Sequence, residues 1–256
     1  MKLITSRDNP FFKQIKKLAE SARERRQRGL TLLDGVHLLE AYEACHGPVE
    51  SLIVSESALA AEGEVAARVE GRSPVVLSDA LLRDLGLVDT PSGLLAVARV
   101  FAPSCVVDRK KDAILLDGVQ DPGNVGTLLR TAAAAGYRQV LLSPGCAAAW
   151  SPKVLRAGQG AHFVLDIFEE VDLLAFAHDY RGTLAATCLD GSVSLFDAVW
   201  QGPLAWVFGA EGRGVRPELI LAAGLKVRIP MPGAVESLNV AAAAAVCLFE
   251  TVRRRG

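Results

Sequence analysis

Three separate blocks in the second half of the chain carry the residues best suited to chemistry. They are DPGNVGTLLRTAAAAG (Asp121 to Gly136), WVFGAEGRGV (Trp206 to Val215) and IPMPGAVESLNVAAAAAVCLFE (Ile229 to Glu250). Each combines glycines and prolines with hydrogen-bonding side chains at a predicted strand end or helix start. Open α/β sheets bind ligands outside the carboxyl ends of their strands. We therefore expect the three blocks to form one ligand site.

The first block contains Asn124 and Arg130. Six residues of helix amount to about 600° of rotation, so these side chains need not share a face. Contact between them requires Asn124 to lie in the loop before the helix, and Pro122 and Gly123 can form such a turn. A helix N-cap and a surface arginine would explain the same residues without catalysis.

The second block ends the hydrophobic strand LAWVF with three glycines around Glu211. This spacing differs from the GxGxxG of dinucleotide folds and from the GxxxxGK[ST] of phosphate-binding loops. Glycines allow the backbone to approach a ligand closely, so its amides and carbonyls can pair with an adenine or a ribose. Glu211 can bind a hydroxyl or hold Arg130, and the alternative is a tight turn with a solvated acid.

The third block begins with an irregular loop, Ile229 to Gly233, and continues with Glu236-Ser237-Leu238-Asn239. Ser237 is a favourable N-cap residue, which by itself explains a serine here, and Asn239 can serve likewise. The last helix is predicted to run from about Ser237 to Arg253.

Short apolar strands alternate with helices on both sides of one break in the pattern. After Asp112 they predict a parallel sheet covered on both faces. Residues 1–100 predict a smaller α/β unit, beginning with a helix from Pro10 to about Arg28. A proline and a run of charges interrupt the pattern between these regions. The predicted domains are therefore residues 1–100 and 112–256, with a linker at residues 101–111.

Composition narrows the class of protein. Half of the residues are hydrophobic, which is ample for a core, yet no stretch has the apolar length of a membrane span. Five scattered cysteines contain no CxxC, and four histidines show no metal-ligand spacing. We expect a cytoplasmic protein with reduced thiols and no metal.

Basic residues cluster at both ends of the chain, although the net charge is only −1. Residues 1–28 hold nine Lys or Arg against three acids, and the chain ends with Arg253, Arg254 and Arg255 before a glycine. Such clusters are typical of local phosphate contacts, and a solvated helix face is the alternative.

In this order the three blocks resemble motifs 1, 2 and 3 of the SpoU (TrmH-type) RNA 2′-O-ribose methyltransferases. The resemblance covers most of residues 111–256. It implies the SPOUT fold, with a deep trefoil knot formed from about Phe208 to Glu250. It also implies S-adenosyl-L-methionine as cofactor and a homodimer. The stretches ITSRDNPFFKQIKKL and LLDGVHLLEAY resemble the substrate-binding extension of this family, with Asp34 where the family usually has Glu.

The resemblance also implies the site residues. The expected catalytic set is Arg130, Asn124, Glu211, Ser237 and Asn239. The residues expected to hold the cofactor are Gly209, Ile229, Leu238 and Thr187. Arg130 is the family's candidate base, but an arginine normally stays charged, so stabilisation of an oxyanion is an equal alternative.

The implied reaction is methyl transfer to a ribose 2′-hydroxyl, most simply in ribosomal RNA. A tRNA 2′-O-methyltransferase, a SPOUT enzyme that methylates a base and a catalytically silent RNA-binding protein are the alternatives within the fold. An ordinary nucleotide-binding oxidoreductase lacks its glycine fingerprint here.

Overall fold

The computed structural model describes residues 3–61, 63–87, 91–103, 105–188, 191–235 and 237–256. They form two compact units, one made of Met1–Phe101 with Trp150–Phe163 and the other of Ala102–Ala149 with Val164–Gly256. Both units combine strands and helices, so the predicted α/β class is confirmed. Within the described residues, no helix is long and apolar enough to cross a membrane.

The first unit contains a five-stranded mixed sheet. Its strands are β1 (Leu3–Ile4), β2 (Leu30–Asp34), β3 (Ser51–Ser55), β4 (Val75–Leu77) and β5 (Leu94–Arg99). The spatial order is β1-β4-β3-β5-β2, and β5 runs antiparallel to both of its neighbours. Successive residues of a strand face opposite sides. Leu32 accordingly joins a core with Phe12, whereas Leu33 joins a second core with Tyr42 on the other face.

Helices cover both faces of this sheet. They are α1 (Pro10–Glu20), α2 (Ala22–Arg28), α3 (Val36–His46), α4 (Glu56–Ala60), α5 (Glu64–Val69) and α6 (Asp79–Asp84). The prediction of one helix from Pro10 to Arg28 is wrong, because the backbone becomes extended at Ser21, whose side chain caps α2. Arg25 is buried and donates to the carbonyls of Leu18 and Ala19, so it closes the end of α1.

The second unit contains a seven-stranded sheet in which every pair is parallel, as predicted. Its strands are β6 (Ala113–Asp117), β7 (Gln139–Leu142), β8 (Asp166–Phe168), β9 (Thr183–Thr187), β10 (Val193–Ser194), β11 (Leu204–Gly209) and β12 (Leu225–Arg228). The spatial order is β10-β12-β9-β11-β6-β7-β8, so β11 lies between two strands that precede it in the chain. The strand order does not trace the connecting loops, and the trefoil knot stays a prediction.

The remaining helices are α7 (Pro122–Ala134), α8 (Pro152–Gly158), α9 (Leu173–Asp179), α10 (Pro217–Ala222) and α11 (Val240–Arg255). Among these, α8 belongs to the first unit, where Leu155 packs in the same core as Leu33. Its Arg156 donates to the buried carboxylate of Asp34, which also accepts from Ser92. A segment between β7 and β8 is therefore built into the first unit.

The central strand β11 of the second unit packs on both faces. Ala205 and Val207 lie in a core with Phe176 of α9 and Leu219 of α10. Trp206 faces the other way and its Nε1 donates to Thr251 Oγ1 of α11 at 3.1 Å. The side chains of β11 therefore hold helices on both sides of the sheet.

The last turn of α11 uses its arginines for structure. Arg253 and Arg254 donate to Glu250, and these hydrogen bonds outweigh the opposing effect of burial and lower the pKa of that carboxyl to about 2. Arg254 also donates to the carbonyls of Leu195 and Phe196. Arg255 pairs with Asp112. The sequence leaves phosphate contacts and a solvated helix face as alternatives for this cluster, and in the structure Arg254 and Arg255 hold the end of α11 in place.

Candidate active site

The second and third sequence blocks line one cavity of about 1030 Å³ in the second unit, whereas no residue of the first block is in its lining. It lies at the carboxyl ends of β9, β11 and β12, where parallel sheets bind ligands. Of the nine expected site residues, seven line it: Gly209, Glu211, Ile229, Ser237, Leu238, Asn239 and Thr187. Asn124 and Arg130 are outside the lining. Apolar residues such as Ile220, Leu221 and Met231 complete the wall.

The glycine loop after β11 folds back over its own start. Gly214 N–H donates to the carbonyl of Ala210 at 2.8 Å, and the two residues form an isolated bridge. A Cβ at Gly209 would overlap the backbone of Gly214, so no larger residue fits there. Gly212 and Gly214 both have positive φ angles, of 81° and 70°, which favour glycine. The loop therefore presents main chain to the cavity.

A chain of directed hydrogen bonds connects the three blocks. Asn239 Nδ2 donates to Asn124 Oδ1 at 2.9 Å, and Asn124 Nδ2 donates to Glu211 Oε1 at 2.7 Å. The second oxygen of Glu211 accepts from the backbone N–H of Gln120 at 3.3 Å. Because a carboxylate can only accept, both amide orientations are fixed by the chain. Asn124 of the first block is thus hydrogen-bonded to Glu211 of the second block and to Asn239 of the third.

The first block forms the start of α7. Asp121 is the N-cap and accepts from Asn124 N at 2.7 Å, and Pro122 occupies the first turn, which its fixed φ favours. Asn124 therefore lies inside the helix, not in the loop that a contact with Arg130 requires. Arg130 is on the exposed face of α7, and no described residue forms a hydrogen bond or an ion pair with it.

The third block forms the start of α11, whose N-cap the sequence left open between Ser237 and Asn239. Asn239, not Ser237, is the N-cap, and its Oδ1 accepts from Ala241 N at 2.9 Å and from Ala242 N at 3.3 Å. The helix consequently begins at Val240 and leaves Ser237 and Leu238 exposed in the cavity wall. Glu236 of this block lies outside the described residues. Asn239 thus caps the helix with its oxygen and holds Asn124 with its nitrogen.

Glu211 stays ionised in this setting. Burial, the largest single influence, raises its pKa, but hydrogen bonds from Asn124 and from backbone N–H groups together lower it below the ordinary value. The carboxylate is therefore an acceptor for Asn124 at neutral pH, as the hydrogen-bond chain requires.

Comparisons with known proteins identify the family. The profile of the SpoU rRNA Methylase family matches residues 112–249, which is more than half of the chain. The chain belongs to this family. A second profile, the MRM3-like substrate binding domain, matches residues 9–96 of this SpoU family member. The resemblance of the three blocks is thereby confirmed.

Relatives extend the similarity over nearly the whole chain. The 23S rRNA (guanosine(2553)-2′-O)-methyltransferase RlmP of Bacillus subtilis is 32% identical over 253 residues, covering 97% of this chain and 98% of that protein. The 23S rRNA (guanosine-2′-O-)-methyltransferase RlmB of Ralstonia nicotianae is 33% identical over 200 residues, covering 74% of this chain and 80% of that protein.

Solved structures agree with this assignment. The crystal structure of an RNA 2′-O ribose methyltransferase matches with a TM-score of 0.83 at 30% identity and covers 99% of both chains. The AdoMet-bound rRNA methyltransferase from Sinorhizobium meliloti matches with a TM-score of 0.79 at 27% identity, covering 99% of this chain and 98% of that one. The SPOUT fold of the second unit is therefore confirmed.

Sequence reasoning missed several residues of this SpoU site. Cys188, Arg213 and Arg228 line the cavity, and the only signal was that Arg213 lies inside the second block and that Cys188 and Arg228 each directly follow or precede an expected site residue. Asp117, a charged residue at the end of the apolar strand β6, accepts two hydrogen bonds from Arg216 at the end of the glycine loop. Among the described residues, no group of three or more His, Cys, Asp or Glu could hold a metal ion.

Proposed function

We propose that this protein transfers a methyl group from S-adenosyl-L-methionine to a ribose 2′-hydroxyl of RNA. The observation that carries the proposal is the cavity lined by the second and third blocks, with Asn124 of the first block hydrogen-bonded to Glu211 and Asn239 of its wall. Support comes from the relatives named 23S rRNA guanosine 2′-O-methyltransferases, which cover most of the chain.

The cavity suits the cofactor. Its volume is close to the upper end of the usual range for small-molecule sites, about 300–1,000 Å³. The bare backbone of the glycine loop provides donors and acceptors for an adenosine, and Gly209 leaves no room for a side chain. We assign main-chain contacts with the cofactor to Gly209, Ile229 and Leu238, and a side-chain contact to Thr187. When bound, S-adenosyl-L-methionine supplies a methyl group that its sulfonium activates.

The protein's own task is then to align the acceptor hydroxyl and to manage its proton. Ser237 and Asn239 lie in the cavity wall and are assigned to positioning the ribose. Asn124 and Glu211 hold Asn239 in that position. Arg130 is the remaining catalytic candidate, either as the proton acceptor or as a cation opposite the developing oxyanion.

The first unit is proposed to bind the RNA, most simply ribosomal RNA. Residues 1–100 carry this role, residues 101–111 link them to the catalytic domain of residues 112–256, and the substrate-binding profile over residues 9–96 supports the assignment. Lys17 and Arg23 are exposed there, and no described residue pairs with them, so they are available to phosphates.

A homodimer is proposed to complete the active enzyme. Val246, Phe249 and Val252 of α11 are large apolar residues exposed by 37%, 49% and 40%. Burial of such a stripe against a second copy is the simplest way to remove it from water. Arg130 lies on the exposed face of α7, which packs against α11, and the dimer is proposed to bring Arg130 near the interface.

A cytoplasmic location is proposed as well. All five cysteines are free of disulfides, two of them on the surface, which is typical of a reducing compartment. Ribosomal RNA, the proposed substrate, is found in the same compartment.

The test combines cofactor binding with methyl transfer. S-Adenosylhomocysteine is expected to raise the melting temperature, whereas NAD is not. Labelled S-adenosyl-L-methionine is then supplied with separated pools of large-subunit rRNA, small-subunit rRNA and tRNA. Label in rRNA supports the proposal, and label in tRNA alone replaces the substrate with tRNA. Stabilisation by NAD alone, or no label in any pool, would contradict the proposal.

A further inference from the structure

Asp117 lies where both ends of the glycine loop meet. It is the last residue of β6, it pairs with Gly209 across the sheet, and Gly209 is where the loop begins. The loop ends at Arg216, and Arg216 returns to the same aspartate. Its backbone N–H donates to Asp117 Oδ2 at 2.9 Å and its Nε donates to Oδ1 at 2.8 Å.

The direction of Arg216 sets it apart from its neighbours. Every residue from Phe208 to Val215 lines the cavity, and so does Pro217, but Arg216 does not. Its side chain is half exposed, whereas that of Asp117 is only 4% exposed. Both oxygens of the buried carboxylate thus bind Arg216, the one residue of the loop that does not line the cavity.

We propose that Asp117 is a positioning residue for cofactor binding, and this rests on the proposed function. It acts through Arg216 and holds the closed form of residues 209–216. In that form the backbone of the loop faces the cavity and Glu211 reaches Asn124. Without the carboxylate, the end of the loop is no longer held, and the affinity for the cofactor is the first property to fall.

The chain offers a matched control in Asp112. This aspartate also accepts from one backbone N–H, that of Leu204 at 2.7 Å, and from one arginine, Arg255. It precedes β6, whereas Asp117 ends it, and it does not line the cavity. Replacing Asp112 therefore removes the same kinds of bond without touching the loop.

The experiment compares Asp117→Asn with Asp112→Asn at a temperature where both variants are folded. Titration calorimetry measures the Kd for S-adenosylhomocysteine, and initial rates give kcat and the KM values for cofactor and RNA. Loss of a hydrogen bond to a charged group predicts that Asp117→Asn raises the Kd and the cofactor KM by about tenfold. The KM for RNA stays near the wild-type value. Asp112→Asn lowers the melting temperature but keeps the wild-type Kd.

Two results would overturn this inference while leaving the proposed function intact. One is wild-type affinity for S-adenosylhomocysteine in Asp117→Asn. The other is an equal loss of affinity in Asp112→Asn, which would show that general destabilisation is the cause. Failure of the wild-type protein itself to bind S-adenosylhomocysteine would contradict the proposed function and with it the inference.

Discussion

Single amide groups decide how the three blocks meet. Asn239 uses its oxygen for two backbone N–H groups of α11 and its nitrogen for Asn124. Asn124 in turn has its oxygen and its nitrogen committed to Asn239 and Glu211. At either position an aspartate would lack the N–H donor, and a glutamine would place its amide group one methylene further from the backbone. The site thus depends on residue type at the level of individual atoms.

Arg130 allows a test of catalysis apart from cofactor binding, because it does not line the cavity. Arg130→Lys keeps the positive charge but loses the planar guanidinium. We expect kcat to fall by about 100-fold, the usual cost of losing one group that stabilises the transition state. The Kd for S-adenosylhomocysteine should stay within about twofold of wild type.

Initial rates and calorimetry measure the two effects, with Arg138→Lys as the control on another exposed arginine of the same unit. Near-full turnover in Arg130→Lys would rule out both proposed roles for the arginine.

The starts of α7 and α11 are the elements that bring the site together. Each helix begins with a side-chain cap, Asp121 in one and Asn239 in the other, and each cap fixes where the first turn lies. The cap of α11 also belongs to the hydrogen-bond chain, so helix stability and site geometry share one residue. These two functions can be separated by substitution.

Asn239→Asp keeps an oxygen for the cap but removes the Nδ2 donor to Asn124. Asp and Asn are similar N-caps, so the melting temperature should change by no more than about 2 °C. The rate of methyl transfer should fall by about tenfold, because one hydrogen bond of the chain is lost.

Asn239→Ala is the matched comparison, since it removes the cap as well. Its free energy of unfolding should drop by about 1 kcal/mol. Thermal unfolding and initial rates report the two quantities. Equal activity in wild type and Asn239→Asp would show that the bond to Asn124 has no role in turnover.

Local sequence rules predicted the elements well and the caps less well. The parallel sheet and most strands of the second unit follow from apolar runs between helices. The capping rules rate Ser237 and Asn239 alike, so the sequence could not say which begins α11. The break at Ser21 escaped prediction because Ala22 to Arg28 continues a helical composition.

Seven of the nine expected site residues line the cavity, but the hydrogen bonds that connect them to the rest of the site were not predicted. Glycine-rich strand ends located the cavity, because ligand sites lie there in parallel sheets. The partner of Glu211 depends on how strands β6 and β11 pair, a contact between residues far apart in the chain. The ion pair of Arg216 could not be predicted for the same reason, since its partner Asp117 is 99 positions earlier.

At the scale of the whole molecule, recognition and chemistry are proposed to be divided between the two units. The substrate-binding profile covers the first unit, and the cavity lies entirely in the second. The basic cluster of the first unit is smaller than its composition suggests, because Arg25 is buried and bonded to α1. Lys17 and Arg23 are the better candidates for phosphate contacts.

Lys17→Gln with Arg23→Gln is expected to weaken RNA binding and to reduce its dependence on salt. The slope of log K against log salt should fall by about one for each phosphate that the protein no longer neutralises. The Kd for S-adenosylhomocysteine should not change. Arg83→Gln with Arg99→Gln removes the same charge from the same unit and is the control in filter-binding titrations.

An equal loss of RNA affinity in both double variants would show that net charge, not these two positions, governs binding. A parallel loss of cofactor affinity would contradict the division of tasks between the units.

The proposed dimer is tested at the apolar stripe of α11. Phe249→Asp places a charge on a side chain that is 49% exposed in the single chain, so the fold itself should tolerate it. We expect sedimentation velocity to show a dimer for wild type and a monomer for the variant. A dimer that survives this change would place the interface elsewhere.

The position of the transferred methyl group tests the central claim most directly. RNA methylated with labelled S-adenosyl-L-methionine is digested with alkali, which needs a free 2′-hydroxyl to cleave each bond. The proposed function predicts label in alkali-resistant dinucleotides, and Arg130→Lys should incorporate about 100-fold less label per unit time. Label released in mononucleotides would place the methyl group on a base and would contradict the account.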